Sequence, residues 1–123
     1  MPLADPLKLL VVDDHTAFRR TVRQLFEGTM MQIHEASSGE EAVELYAQVR
    51  PAWVVMDLRM PGMGGIKATE AIRKLDAQAR VIVISQLNEL EYREQAQGAG
   101  AVGFVSKEEV YRLAEIIQPP SPT

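Results

Sequence analysis

The feature that most constrains this chain is an apolar run that ends in a carboxylate and passes at once into turn residues: Trp53-Val54-Val55-Met56-Asp57-Leu58-Arg59-Met60-Pro61-Gly62. Four apolar residues in succession, two of them β-branched, read as a strand buried on both faces, and Pro61-Gly62 prevents it from continuing. Asp57 is therefore expected where a buried strand emerges. In an open parallel α/β sheet ligands bind in the crevice beyond the carboxyl ends of the strands, so a carboxylate there is placed for chemistry.

Two more runs repeat the pattern. Leu9-Leu10-Val11-Val12 ends in Asp13-Asp14, and Val81-Ile82-Val83-Ile84 ends at Ser85. Strands are expected over 7–12, 31–36, the stretch reaching Asp57, 80–85 and 101–105. Helices are expected over 16–27, with Phe18, Val22, Leu25 and Phe26 on one face and Gly28 as the stop, and over 38–49, opened by the capping box Ser38-Gly39-Glu40-Glu41. Further helices are expected over 65–75, with Ala68, Ala71, Ile72 and Leu75 inward, over 88–97 and over 108–117.

The apolar strands should be central and the more polar second and glycine-broken fifth should lie at the edges. The order 2-1-3-4-5 with right-handed crossovers satisfies this, giving a flavodoxin-like (βα)5 doubly wound five-stranded parallel sheet. Its switch point falls between strands one and three, where Asp13, Asp14 and Asp57 stand. Ser85 and Lys107 follow strands four and five on the same edge.

Composition narrows the class. A chain of 123 residues, 46% apolar and 24% charged, is one domain's worth and buries about two-thirds of its unfolded surface. Residues 1–6 are expected to be a flexible N-terminus, 7–117 the folded domain, and 118–123 a proline-rich tail or the start of a linker. The absence of cysteine excludes disulfides and thiolate metal sites, and the net charge of -4 argues against direct nucleic-acid binding by this segment. With neither a basic, apolar leader nor 18 consecutive apolar residues, no membrane span is expected and the reading is cytoplasmic.

Taken singly, the residues have ordinary explanations. An Asp pair after a strand often caps a helix, a strand-end serine such as Ser85 often bonds to backbone, and Lys107 reads as a solvated lysine. Phe104 reads as edge packing, Trp53 as core, and His15 and His34 as bystanders. Convergence at one edge is what argues for chemistry.

Asp13-Asp14, Asp57 with Met60-Pro61-Gly62, Ser85, and Phe104-Val105-Ser106-Lys107, in this order and at these strand ends, resemble the receiver domain of two-component response regulators over about 7–117. The wording Asp-Asp-His and Met-Pro-Gly-Met-Gly-Gly is also similar to receivers that precede a helix-turn-helix DNA-binding output domain. The resemblance implies a phosphorylation-dependent switch. Asp57 would accept a phosphoryl group from a histidine kinase, a phosphotransfer protein or a small phosphodonor. Mg²⁺ (or Mn²⁺) would be held by Asp14, Asp57 and the backbone carbonyl of Arg59, with Asp13 acting through water. Three close carboxylates repel by about 4 kcal/mol per pair at an effective dielectric near 20, and the cation with Lys107 cancels their charge.

The resemblance further implies that Lys107 pairs with the phosphate and that the Ser85 hydroxyl donates to it. Movement of Ser85 would let Phe104 turn inward and shift the face of the fourth helix, fifth strand and fifth helix. That face would control an output domain or partner and is a candidate for homodimerisation. Arg59 and Leu87 occupy the positions that tune phosphoryl lifetime, and Leu87 offers water no hydrogen bond, which implies slow autodephosphorylation. Such a domain catalyses its own phosphorylation and dephosphorylation but regulates rather than turns over substrate. Two alternatives remain: an interaction module of the same fold that is independent of phosphate, and a phosphohydrolase of the haloacid dehalogenase type, which also uses a strand-end Asp nucleophile. The latter needs an acid where Arg59 stands.

Overall fold

The computed structural model describes residues 3–119; the end of the proline-rich tail and the first two residues lie outside this range, as do the side chains of residues 87, 88 and 90. Five parallel strands, β1 (Asp5–Val12), β2 (Gln32–Ala36), β3 (Pro51–Asp57), β4 (Val81–Ser85) and β5 (Gly103–Ser106), pair in the order β2-β1-β3-β4-β5. The helices are α1 (Thr16–Leu25), α2 (Gly39–Val49), α3 (Gly65–Leu75), α4 (Arg93–Gly98) and α5 (Arg112–Ile117). This is the flavodoxin-like arrangement expected from the apolar runs.

The alternation of strand side chains divides the core into two layers. Leu10, Val12, Val54, Met56, Val81 and Val83 face Tyr46, Ala68 and Ile72, whereas Leu9, Val11, Val55, Ile82 and Ile84 face Val22, Phe26, Leu113 and Ile117. Both faces of the central strands are thus dry, which is why the runs Leu9–Val12, Val54–Met56 and Val81–Ile84 carry no polar residue.

The polar edge strand has its own support. Glu35 of β2 accepts from Arg19 Nε at 2.8 Å and from Arg23 Nη2 at 2.7 Å, and the Arg23 bond leads in holding its carboxyl below the usual range.

Several boundaries differ from expectation. β1 begins at Asp5, whose N–H donates to the Arg50 carbonyl at 2.8 Å, so the sheet already includes residues assigned to the N-terminus. The helix expected over 88–97 starts instead as a 3-10 turn, Leu87–Tyr92, with Glu89 at non-helical φ -111°, and becomes α-helical only at Arg93. Glu89 Oε1 accepts from Gln86 N–H at 2.7 Å, tightening this entry. The last helix is likewise preceded by a 3-10 turn, Lys107–Glu109, because Ser106 Oγ accepts from Glu108 N–H at 3.3 Å; the α-helix starts at Arg112. Leu75, expected inward, is exposed at the end of α3, while Thr69 takes a buried place by donating to the Gly65 carbonyl at 2.8 Å.

Candidate functional site

The carboxyl edge of the sheet gathers Asp13 and Asp14 after β1, Asp57 at the end of β3 and Lys107 after β5. Asp13 is fully buried and Asp57 nearly so. Lys107 Nζ stands 2.9 Å from Asp13 Oδ2 and 3.6 Å from Asp57 Oδ1. Ligand atoms of Asp13, Asp14, His15 and Asp57 all lie within 4.8 Å of one another. Four of the five strand-end residues that the sequence brings to one edge, Asp13, Asp14, Asp57 and Lys107, therefore meet in one pocket.

Local structure fixes each of them. Asp13 Oδ1 accepts from His15 N–H at 2.7 Å, an Asx-type turn that folds the chain from β1 into α1, and the Asp13 carbonyl accepts from Arg19 Nη1 at 2.6 Å. Asp57 continues the β3–β4 ladder opposite Ile84, so Ser85 is one residue beyond on the adjacent strand. Beyond Asp57 the chain is held closely: Gly65 N–H donates to the Leu58 carbonyl at 3.0 Å, and a Cβ at Gly65 would stand 2.1 Å from the Asp57 carbonyl oxygen. Gly62, at φ +75°, lets the intervening loop turn beneath Glu40.

Electrostatics make this edge unusual. Burial, then the charge of Asp13, pushes the Asp57 carboxyl up to about 7, with Asp14 adding to the shift and Lys107 opposing it. Burial works against the Lys107 ammonium, yet its close contact with Asp13 and the charges of Asp57 and Asp13 hold it above the ordinary lysine range. Asp13 Oδ2 has the lysine nearby but no aligned hydrogen bond, and Ser85 Oγ, fully buried, has no partner among the described residues. Three carboxylates face one ammonium, and buried polar atoms remain unsatisfied. An oxygen-rich, acid-excess pocket with unpartnered acceptors fits a hard divalent cation.

Other placements refine the expectations. Phe104 is already buried, with the Arg93 guanidinium 5.3 Å from its ring centroid. Arg59 turns its side chain away to Glu89, donates from Nη2 to Tyr92 Oη at 2.7 Å and lies over the Tyr92 ring at 4.8 Å. The side chain of Leu87 lies outside the described residues. A cavity of about 480 Å³ flanks the carboxylates without containing them, lined in part by Arg59, Met60, Ile66 and Tyr92.

Sequence reasoning missed two neighbours. His15, read as a bystander, sets Nδ1 3.1 Å from Asp13 Oδ1 and 3.2 Å from Asp14 Oδ1; its adjacency to the Asp pair was the available signal. Phe18, read as core, also places its ring 4.7 Å from Lys107 Nζ, a contact that spacing along α1 could not reveal.

The sequence model of the response regulator receiver domain matches residues 9–118. The chemotaxis protein CheY of Halobacterium salinarum is 37% identical over 100 residues, covering 81% of this chain and 83% of that protein. The nitrate/nitrite response regulator protein NarL of Escherichia coli is 33% identical over 106 residues, 85% of this chain but only 49% of NarL, so the chain spans about half the length of that relative. Among solved structures, the CheX-CheY-BeF3-Mg²⁺ complex from Borrelia burgdorferi aligns at TM-score 0.79 and 30% identity, covering 89% of this chain and 88% of that one.

Proposed function

The chain belongs to the response regulator receiver family of two-component signalling, and from that premise we propose that Asp57 is its phosphoacceptor. The observation that carries this reading is the shared pocket of Asp13, Asp14, Asp57 and Lys107 at the carboxyl edge. A carboxylate oxygen of Asp57 attacks phosphorus; the bond from phosphorus to the donor's imidazole nitrogen, or to acetate in a small phosphodonor, breaks as the aspartyl phosphate forms. Lys107, already between Asp13 and Asp57, supplies a positive charge to the phosphoryl oxygens. The unpartnered Ser85 hydroxyl is available to donate to another.

Asp14 and Asp57, with the Arg59 carbonyl and Asp13 through water, would hold a divalent cation, Mg²⁺ in the first instance, which when bound neutralises charge on the transferring oxygens. The Mg²⁺ named in the Borrelia complex supports this assignment.

A shift of Ser85 toward the phosphoryl group bears on Phe104, and Phe104 carries Arg93 at the start of α4. The 3-10 entry into α4 gives that element few regular hydrogen bonds to lose, so the α4-β5-α5 surface is the part that a modest differential affinity can move. That surface would then act on an output domain or partner protein. The upstream partner is a sensor kinase or phosphotransfer protein.

Intact-mass measurement tests the reading directly. Incubation with acetyl phosphate and Mg²⁺ should add one phosphoryl group to the wild type and none to Asp57→Asn. An unmodified wild type, or equal labelling of the variant, would overturn it.

A further inference from the structure

We propose that His15 is a nitrogen ligand of the acidic pocket, so that this receiver takes later first-row divalent ions such as Co²⁺ in a mode different from Mg²⁺. The inference rests on the metal-binding reading above and concerns only which atoms complete it. His15 Nδ1 is wedged between two carboxylate oxygens of that pocket, 3.1 Å from Asp13 Oδ1 and 3.2 Å from Asp14 Oδ1. It belongs to the same set of ligand atoms, all within 4.8 Å, as Asp57.

The ring's polar contacts are to the pocket's own carboxylates: Nδ1 lies within hydrogen-bond distance of Asp13 Oδ1, a bond that an arriving ion would replace. His15 occupies the N-cap position of α1, but its side chain caps no backbone N–H there. Its side chain is 68% exposed, so Nε2 can carry the proton into solvent while Nδ1 presents a lone pair to an ion. At the same strand edge Asp13 Oδ2 is already paired with Lys107 Nζ at 2.9 Å, whereas the fully buried Ser85 Oγ has no partner among the described residues.

The chemistry follows from donor type. An all-oxygen set suits Mg²⁺, which retains waters and gains little from an imidazole; adding one nitrogen favours ions further along the divalent series. His15 therefore makes ion identity, and not merely ion occupancy, a property of this site.

The experiment uses Co²⁺ and Mg²⁺ as probes of the unphosphorylated chain. In proton NMR with Co²⁺, the ring resonances of one histidine should move far outside the diamagnetic range. They should persist in His34→Gln and vanish in His15→Gln. Calorimetric titration should show His15→Gln weakening Co²⁺ about tenfold and Mg²⁺ less than about twofold. Unshifted histidine resonances in a Co²⁺-loaded wild type, or equal weakening of both ions in His15→Gln, would overturn the proposal and leave the ring a hydrogen-bonding neighbour. Failure of either ion to bind the wild type, or undiminished Mg²⁺ binding in Asp57→Asn, would instead sink the underlying metal reading, and this inference with it.

Discussion

The two ends of the sheet each collect charged groups but treat them in opposite ways. At the amino edge, Tyr46 Oη donates to Asp76 Oδ2 at 2.8 Å, Arg50 Nη1 lies 3.6 Å from the same oxygen, and the Arg50 guanidinium is 5.6 Å from the Tyr46 ring centroid. There one acid meets one base. At the carboxyl edge three acids meet one lysine. Two aspartates of one molecule are accordingly driven apart: the Gln78 N–H and then the Tyr46 hydroxyl hold Asp76 below the usual carboxylate range, while burial and like charge push Asp57 up to about 7. The first arrangement is what a chain does to hold itself together; the second leaves an excess of buried negative charge, as the proposed cation and phosphoryl chemistry would require.

The sharpest way to break this contrast is to remove the Lys107 ammonium from the carboxyl edge. Lys107→Ala should lower stability in metal-free buffer by about 3–5 kcal/mol, because Asp13 remains buried without a counter-charge. Urea denaturation measures it, and Mg²⁺ should restore part of the loss. A variant as stable as wild type without metal would mean that the carboxylates are not confronting one another.

Asp57→Asn should act in the opposite direction. Since the folded protein holds the Asp57 proton more tightly than the unfolded chain, stability falls as pH rises between the ordinary carboxylate value and about 7. Removing the charge should therefore stabilise the metal-free protein by on the order of 3 kcal/mol at pH 8 and by progressively less toward pH 4. Equal pH profiles for the two proteins would contradict the shift.

At the amino edge, Tyr46→Phe deletes a hydrogen bond to a charged group and should cost about 2 kcal/mol at neutral pH. The stability contributed by Asp76 has the reverse pH sense from that of Asp57: present above the ordinary carboxylate value and lost as acid protonates it. Asp76→Asn should accordingly flatten the acid limb of the stability curve, readable by thermal unfolding between pH 2 and pH 5. The smallest effect belongs to the exposed pairs. Glu35→Gln should cost less than about 1 kcal/mol and lose even that in high salt, because Arg23 is half in water.

Strand order and the meeting of Asp13, Asp14, Asp57 and Lys107 were legible because dry, uninterrupted runs report centrality and parallel connections bring all their ends to one edge. The entry to α4 was not legible. A 3-10 turn and an α-turn share nearly the same apolar spacing, and the choice here involves the Glu89 carboxylate reaching the Gln86 N–H and Arg59. The ring of Phe18 beneath Lys107 and the Arg59–Tyr92 contact cross between elements, where local period carries no information. His15 was hidden differently: its neighbours in sequence were right, but a lone imidazole gives no sign of which way it turns.

The glycine at the start of α3 has a mechanical consequence. Because Gly65 seats the helix against the Asp57 carbonyl with no room for a methyl group, β3 and α3 abut closely behind Asp57. If Asp57 is phosphorylated as proposed, a displacement there would meet closely packed backbone on that side. It would be passed instead across the sheet toward the irregular 3-10 turn Leu87–Tyr92, so the proposed signal would take its direction from where the scaffold leaves no room.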